Sequence, residues 1–189
     1  GEAHAVRLFA FFMLTNIYGE PYDPATASTA MGVPLNYHHN AEDVSFPRAT
    51  VAEDYAEMVK DIEGAMTAFA KADNEGTIYR WNAAATAVLA SRVYLHMQDW
   101  DNVIKYADKA LSLNGALHDL NKLPAPGSGK AKIFLGKENR EINYSYGFGW
   151  IPELRTMHPF YYNASSDLLS IYSEGDLRYY EKKGYFINA

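Results

Sequence analysis

Residues 83–114, AAATAVLASRVYLHMQDWDNVIKYADKALSLN, predict two helices joined by a tight turn at Gln98-Asp99. The first helix is apolar on nearly every side, which is typical of a buried helix. The second helix carries one apolar stripe with a helical period, made of Trp100, Val103, Ile104, Ala107 and Leu111. Small residues lie where two such helices must approach closely. The stretch therefore predicts a helical hairpin, and we expect a mainly α fold.

The hairpin resembles a tetratricopeptide-like repeat, and a weak second copy precedes it in the chain. Residues 62–66 (IEGAM) parallel residues 107–111 (ADKAL), so the repeated unit is a helix pair. Stacks of such pairs generally need about three units to bury their apolar faces. Because the chain also opens inside a helical pattern, we expect it to be a piece of a longer protein.

The first half of the chain predicts two further helices around a long loop. Residues 2–18 form an apolar helix that we expect to be largely buried. Residues 19–49 form a proline-rich loop, and a loop of this length in a compact domain is usually functional or disordered. Thr50 and Glu53 have the spacing of a capping box, in which each side chain bonds the other residue's backbone amide. They predict the start of a helix that runs to about Ala72.

The second half of the chain carries weaker signals. Asn82 and Asp99 are the predicted caps of the third and fourth helices. Ser165 is the predicted cap of a short last helix that runs through Tyr172. Residues 141–146 alternate with a period of two and form the one fair candidate for a strand. Two loop-rich connections separate these elements, at residues 115–140 and 147–164.

We predict one domain over residues 1–189. Residues 2–114 hold the tetratricopeptide-like helix pairs, and residues 115–189 form an irregular, loop-rich region with the short helix. The predicted fold class is mainly α, with helical hairpins, long irregular loops and at most a short β element. With 189 residues, of which 48% are hydrophobic, the chain can bury a sizeable core.

The composition argues against several classes of function. The net charge of −6 argues against nucleic-acid binding, because phosphate recognition requires clustered lysines and arginines. The chain has no cysteine, which excludes disulfides, thiolate chemistry and cysteine-ligated zinc. It has no run of about 18 apolar residues, so the sequence predicts no membrane-spanning helix.

The sequence also lacks a motif for catalysis or for metal binding. His38-His39 is a poor chelate without further ligands, and no pair of histidines has the spacing of a zinc motif. The paired carboxylates Glu53-Asp54 open a helix, where acidic residues are expected for electrostatic reasons. We therefore expect no metal, no cofactor and no enzymatic activity.

The aromatic content favours a sugar-binding role, since 14% of the residues are aromatic and 15 are tyrosines. Sugars present flat faces of C–H groups that stack on aromatic rings, while amides and charged groups bond their hydroxyls. The candidate glycan-binding residues are Tyr37, His38, Tyr146, Trp150, Tyr161, Tyr162 and Asn163. The alternative is that these side chains anchor the long loops to the core.

Several segments match one family in order, and the chain resembles the SusD/RagB family of Bacteroidetes surface lipoproteins. No single motif is decisive, but the order and spacing of the segments make the resemblance specific. The matching segments are Glu2-Ala3 with Tyr18-Gly19, residues 32–35 (GVPL), residues 47–55 (PRATVAEDY), residues 87–95 (AVLASRVYL), Asp99-Trp100 and residues 167–169 (DLL).

The resemblance implies a function as well as a fold. Family members look like stacks of tetratricopeptide-like helix pairs with a large irregular region packed on them, and they are longer than this chain. The resemblance implies an oligosaccharide ligand, a SusC-like TonB-dependent transporter as partner, and no enzymatic activity. It also implies a location on the extracellular face of the outer membrane, through a lipid anchor that this chain does not contain.

Two other functions remain open at this point. A tetratricopeptide-type scaffold would bind a peptide segment of another protein in its groove. Such a scaffold has short turns between helices, whereas the long irregular stretches at residues 19–49 and 115–164 favour the glycan-binding protein. An α-helical glycosidase is the third possibility, and it predicts turnover of a glycan.

Overall fold

The computed structural model describes residues 1–37, 44–74, 77–122, 139–146, 165–173 and 176. The elements in chain order are α1 (Glu2–Tyr18), α2 (Val51–Phe69), α3 (Ala83–His96), α4 (Trp100–Leu113), a 3-10 turn (Leu120–Lys122) and α5 (Ser166–Ser170). Within these ranges no strand forms, and Met31 and Thr50 make an isolated antiparallel bridge. The prediction of a mainly α fold is confirmed.

The chain divides into two compact units. Unit 1 contains residues 1–116 and 141–145, and it includes α1 to α4. Unit 2 contains residues 117–140 and 146–189, and it includes α5. The prediction of one domain over residues 1–189 stays a prediction.

Each predicted cap is present, because a cap depends only on residues three positions apart. The Thr50 hydroxyl accepts a hydrogen bond from the Glu53 amide at 3.2 Å, and the Glu53 carboxylate accepts from the Thr50 amide at 2.8 Å. The side chains of Asn82 and Asp99 likewise accept from the third helical amides of α3 and α4. The Ser165 hydroxyl accepts from the Leu168 amide at 3.2 Å.

Two predicted helix ends and the predicted strand differ from the structure. The last helix, α5, ends at Ser170 and does not reach Tyr172. α2 ends at Phe69, and the chain then tightens into a turn in which the Lys71 amide donates to the Ala68 carbonyl at 3.1 Å. The strand candidate at residues 141–146 is wrong, because this segment is a turn followed by irregular chain. Within the described part of the chain it pairs with no strand, and its Ser145 amide donates a backbone hydrogen bond to the Ile78 carbonyl at 2.7 Å.

The core of unit 1 lies along α2, which packs against α1 on one side and α3 on the other, while α4 packs on α3. Its centre consists of fully buried large side chains from α1, α2 and α3. These are Leu8, Val51, Tyr55, Met58, Ile62 and Val93. Burying one such side chain contributes about 1.5–3 kcal/mol to folding. The packing of each helix on the next one in the chain therefore stabilises the stack.

The apolar stripe predicted for the interior face of α4 lies mostly on the opposite side. Trp100, Ile104 and Leu111 are 59%, 61% and 64% exposed. The residues of α4 that are buried are Tyr106 and Ala110, and Tyr106 stacks on Tyr94 of α3 with ring centroids 5.4 Å apart. The helical period of the stripe is therefore real, but α4 is rotated so that Tyr106 and Ala110 are buried in place of the predicted stripe.

Two helices predicted to be buried all round also keep an exposed face. On α3, Val88 and Leu95 are exposed, whereas Ala90 and Val93 between them are buried. On α1, Val6, Met13 and Ile17 are exposed, whereas Leu8 and Phe12 are buried. Both helices are therefore present as predicted. The prediction that apolar residues on every side make them buried all round is wrong. None of the described helices combines the length and apolarity that a membrane span requires.

Candidate functional site

An open groove lies in unit 1 between α2 and the segment that leads into it. One wall is a face of α2 with residues at helical spacing: Glu53, Ala56, Glu57 and Lys60. The other wall comes from the loop and contains Leu35, Tyr37, Phe46, Pro47, Arg48 and Ala49. The groove encloses ≈ 510 Å³, within the size range of small-molecule sites. Small alanines on both walls leave the space between the larger rings.

A buried carboxylate fixes the loop wall. Asp54 of α2 is fully buried, and its Oδ2 accepts hydrogen bonds from the Val33 amide at 2.8 Å and the Thr15 hydroxyl at 3.1 Å. Gly32 passes so close that a side chain there would place its Cβ 2.2 Å from Oδ2 of Asp54. Burial raises the pKa of the Asp54 carboxyl, against the opposing effect of these two hydrogen bonds.

Backbone pairing and one arginine complete the attachment of the loop. The Gly32 amide donates to the Ala49 carbonyl at 2.8 Å, and the Ala49 amide donates to the Val33 carbonyl at 3.1 Å. The Arg48 guanidinium donates to the carbonyls of Gly32 and Tyr18. Residues 32–33 and residues 48–49 are thus held side by side, and Arg48 donates hydrogen bonds to backbone carbonyls within the fold.

Tyr37 is the aromatic residue at the mouth of the groove. It is 46% exposed, its ring edge contacts Phe11 with centroids 6.4 Å apart, and the Arg7 guanidinium lies 5.6 Å from its centroid. Its phenol is hydrogen-bonded to Glu57. Burial and the Glu57 bond raise the pKa of Tyr37 to about 12, so the phenol is neutral at physiological pH. The ring is therefore fixed in position while part of it remains accessible.

The two carboxylates on the α2 wall are ionised. A hydrogen bond from Lys60 is the main reason that the pKa of Glu57 lies below its ordinary value. Hydrogen bonds from the Thr50 amide and hydroxyl lower the pKa of Glu53 in the same way. Both bonds to Glu53 reach its Oε2, which leaves Oε1 of this exposed side chain available as an acceptor.

The predicted site residues fall in different parts of the chain. Tyr37 lies in the groove, whereas Tyr146 lies in unit 2 and is 67% exposed. His38, Trp150, Tyr161, Tyr162 and Asn163 lie outside the described residues. Within the described part, no three acidic or histidine side chains converge in a way that could hold a metal ion.

Sequence reasoning missed the other residues of the groove. Glu57, Lys60 and Phe46 are not among the residues predicted from the sequence. The signal that could have found them is the position of Glu53, Glu57 and Lys60 on the face of α2 opposite its apolar stripe. That face becomes a wall only because Asp54 folds the loop back against α2.

Comparison with known proteins gives a family for this arrangement. Residues 1–95, half of the chain, match the model of a SusD-like family described as starch-binding and associating with the outer membrane. These residues include α1, α2 and the whole groove. No curated protein is significantly similar to the chain.

Solved structures with the same fold come from Bacteroides. A SusD superfamily protein from Bacteroides fragilis is 31% identical, with a TM-score of 0.50 over 58% of this chain and 25% of that chain. One from Bacteroides thetaiotaomicron is 27% identical, with a TM-score of 0.55 over 64% of this chain and 26% of that chain.

A more distant SusD-like carbohydrate binding protein from Bacteroides vulgatus shares the fold. It is 20% identical, with a TM-score of 0.60 over 76% of this chain and 29% of that chain. The present chain thus spans about a quarter of the length of these solved relatives. The family match to its first half and the shared helical fold establish that the chain belongs to the SusD-like family.

Proposed function

We propose that the full-length protein captures oligosaccharides at the extracellular face of the outer membrane and delivers them to a SusC-like TonB-dependent transporter. The observation that carries this proposal is the match of residues 1–95 to a family described as starch-binding and associating with the outer membrane. The matched residues include all those that line the groove beside Tyr37.

The groove supplies the two kinds of contact that a sugar needs. The accessible part of the Tyr37 ring can stack on the C–H face of a pyranose, and Phe46 adds apolar surface beside it. The carboxylates of Glu53 and Glu57 can accept hydrogen bonds from sugar hydroxyls, and charge-assisted bonds of this kind are stronger than neutral ones. We include Tyr146 and the predicted residues His38, Trp150, Tyr161, Tyr162 and Asn163 as further candidates for contact with the glycan.

The charges of the groove favour binding over hydrolysis. A glycosidase needs one carboxyl group whose pKa is raised so that it can protonate the leaving oxygen. Glu53 and Glu57 both have lowered pKa values, so neither is suited to that role. The protein is accordingly proposed to release its ligand unchanged.

Binding can be tested with a glycan array probed with the purified full-length protein and three variants. Tyr37→Ala and Tyr146→Ala remove candidate stacking rings, and Tyr79→Ala removes an exposed tyrosine that does not line the groove. We expect retention of at least one oligosaccharide class, weakened by Tyr37→Ala and unchanged by Tyr79→Ala. Failure of the unaltered protein to retain any glycan would contradict the proposal.

The proposed location and partner need separate measurements. Protease treatment of intact cells should digest the protein if it faces outward, and labelled fatty acid should enter it if it carries a lipid anchor. Affinity purification from outer-membrane extracts should recover a TonB-dependent transporter in roughly equimolar amount. A periplasmic location, or purification without any such transporter, would remove these parts of the proposal and leave glycan binding to be judged by the array.

A further inference from the structure

The hydrogen-bond donors that line the groove are more fully engaged within the fold than the hydrogen-bond acceptors are. Arg48 directs its guanidinium at two backbone carbonyls, and Lys60 is bonded to Glu57 on the same helix. Arg7, which lies over the Tyr37 ring, gives two hydrogen bonds to the buried Asp61. The cations in and beside the groove therefore already have oxygen partners within the fold.

The acceptors are less fully used. Glu53 is exposed and bonds Thr50 through Oε2 alone. Glu57 shares its carboxylate between Lys60 and the Tyr37 phenol. A ligand that enters the groove consequently meets an aromatic ring and carboxylate oxygens, and it must bring its own hydrogen-bond donors.

From this arrangement we infer that the groove beside Tyr37 selects a neutral, hydroxyl-rich oligosaccharide and disfavours glycans that carry carboxylate groups. The inference rests on the proposed function and adds the chemical class of the ligand. Each hydroxyl of a neutral sugar can donate to a carboxylate oxygen. A uronate group near Glu53 would instead meet a like charge, while the cations of the described groove, Arg48 and Lys60, are already bonded to oxygen atoms of the fold. The like charge weakens binding about fivefold at a separation near 4 Å in water.

The groove is also unsuited to cationic glycans. An amino sugar could donate to Glu53, but the Lys60 ammonium lies on the same wall and the Arg48 guanidinium lies on the other. The four charged side chains thus cancel in pairs. A ligand without net charge fits this balance better than one of either sign.

The test compares three classes of glycan on the full-length protein by isothermal titration. The neutral class contains malto-, xylo- and mannooligosaccharides, the anionic class contains oligogalacturonides, and the cationic class contains chitosan oligosaccharides. We expect a neutral glycan to bind at least about fivefold more tightly than either charged class. Tyr37→Ala should weaken that binding about two- to tenfold, which is the range expected for the loss of stacking on one aromatic ring.

Glu53→Gln provides a readout that a purely structural role would not change. Glutamine can still complete the capping box, so the helix start is kept while the charge is lost. We expect this variant to bind oligogalacturonides more tightly, because the like charge is gone. It should bind the neutral glycan a few-fold more weakly, because a neutral amide oxygen replaces a charge-assisted acceptor. Glu63→Gln removes an exposed charge from the same helix outside the groove, and it should change neither affinity.

The possible contrary results are distinct. Preferred binding of an oligogalacturonide or a chitosan oligosaccharide, lost in Tyr37→Ala, would overturn the inference and leave the proposed function standing. Neutral binding that is unaffected by both Tyr37→Ala and Glu53→Gln would also overturn it, because the groove would then not be the site. Retention of none of the three classes would contradict the proposed function and this inference with it.

Discussion

Arg7 of α1 and Asp61 of α2 form a two-bond ion pair across the first helix pair. The Arg7 Nε lies 2.8 Å from Asp61 Oδ2, and its Nη2 lies 2.7 Å from Oδ1. Asp61 is fully buried, while the Arg7 side chain is 43% exposed. The bond to Asp61 raises the pKa of Arg7 above its already high value, so this cation is permanently charged. The same guanidinium lies over Tyr37, which connects the pairing of α1 with α2 to the groove.

The unequal burial of this pair predicts unequal effects of removing each partner. Arg7→Met leaves a buried carboxylate whose remaining partner is His4, with Nδ1 at 2.6 Å. We expect a loss of about 2–4 kcal/mol in the free energy of unfolding, below the upper range for wholly buried pairs because Arg7 is partly solvated. Asp61→Asn leaves no buried charge, and it should cost about 1–2 kcal/mol. Urea unfolding measures both values.

Arg80→Met is the matched control, because Arg80 forms an exposed ion pair with Glu2. Glu2 lies on α1, as Arg7 does. Exposed pairs contribute little to stability, so no measurable change is expected. Equal losses for Arg7→Met and Arg80→Met would contradict the assignment of the Arg7–Asp61 pair as a buried structural contact.

Asp54 predicts a dependence of stability on pH. Burial raises the pKa of its carboxyl in the folded state above the ordinary value of 3.8. The folded state then binds this proton more tightly than the unfolded state, so the favourable contribution is present at low pH and is lost as the pH rises through the folded-state pKa. Thr15 and Val33 donate to the carboxylate and limit the shift without reversing it.

Asp54→Asn removes this titration and keeps an acceptor for Val33. The stability of the variant relative to the unaltered protein should therefore increase as the pH rises from the ordinary carboxyl value of 3.8 through the raised pKa of Asp54, as measured by urea midpoints at each pH. Asp108→Asn, at an exposed acid of α4, controls for the change in net charge. A relative stability of Asp54→Asn that stays constant or falls over this range would show that burial does not raise the pKa of Asp54.

Local signals in the sequence predicted local structure well. Asn82, Asp99 and the pair Thr50 and Glu53 mark helix starts through bonds within four residues, and all of these bonds are present. The orientation of a helix depends on its neighbours instead. The stripe containing Ile104 has the right period, but Tyr106 is the larger buried residue of α4 because its ring stacks on Tyr94 of α3.

The rotation of α4 can be tested by two substitutions two positions apart. Tyr106→Ala removes a buried ring and should cost about 3–5 kcal/mol. Ile104→Ala removes a side chain that is 61% exposed, and it should change stability by less than about 0.5 kcal/mol. Thermal and urea unfolding give both numbers. The reverse order would mean that the stripe of Ile104 faces the core, as the sequence pattern had indicated.

The candidate site was predictable only in part for a similar reason. Tyr37 was identifiable as an aromatic residue in a long loop. Its neighbour Glu57 was not, because the two come together only when Asp54 binds the amide of Val33, which lies 21 residues earlier. A contact between residues so far apart leaves no periodic signal in the sequence. Asp54 was interpreted as an acidic residue of the kind that is common at the start of a helix, so its burial was not predicted.

The contact of residues 141–145 with the rest of unit 1 gives the last prediction. Tyr144 stacks on Trp81 with ring centroids 4.3 Å apart and planes 27° apart. One residue later, the Ser145 amide donates to the Ile78 carbonyl. An aromatic pair contributes about 0.5–1.5 kcal/mol beyond the area it buries. Tyr144→Ala should therefore open this segment locally more often while the helices of unit 1 stay folded.

Hydrogen exchange of the Ser145 amide measures this opening directly. A loss of about 1.4 kcal/mol corresponds to tenfold faster exchange, and the amides at the centre of α2 should keep their protection. Tyr18→Ala, which removes an equally large but 66% exposed ring, should leave Ser145 exchange unchanged. Unaltered exchange in Tyr144→Ala would mean that the bonds of Asn82 and Asn114 to Asn143 hold the segment without the ring. Faster exchange throughout α2 would mean instead that the stack belongs to the global core, because only global unfolding exposes those amides together.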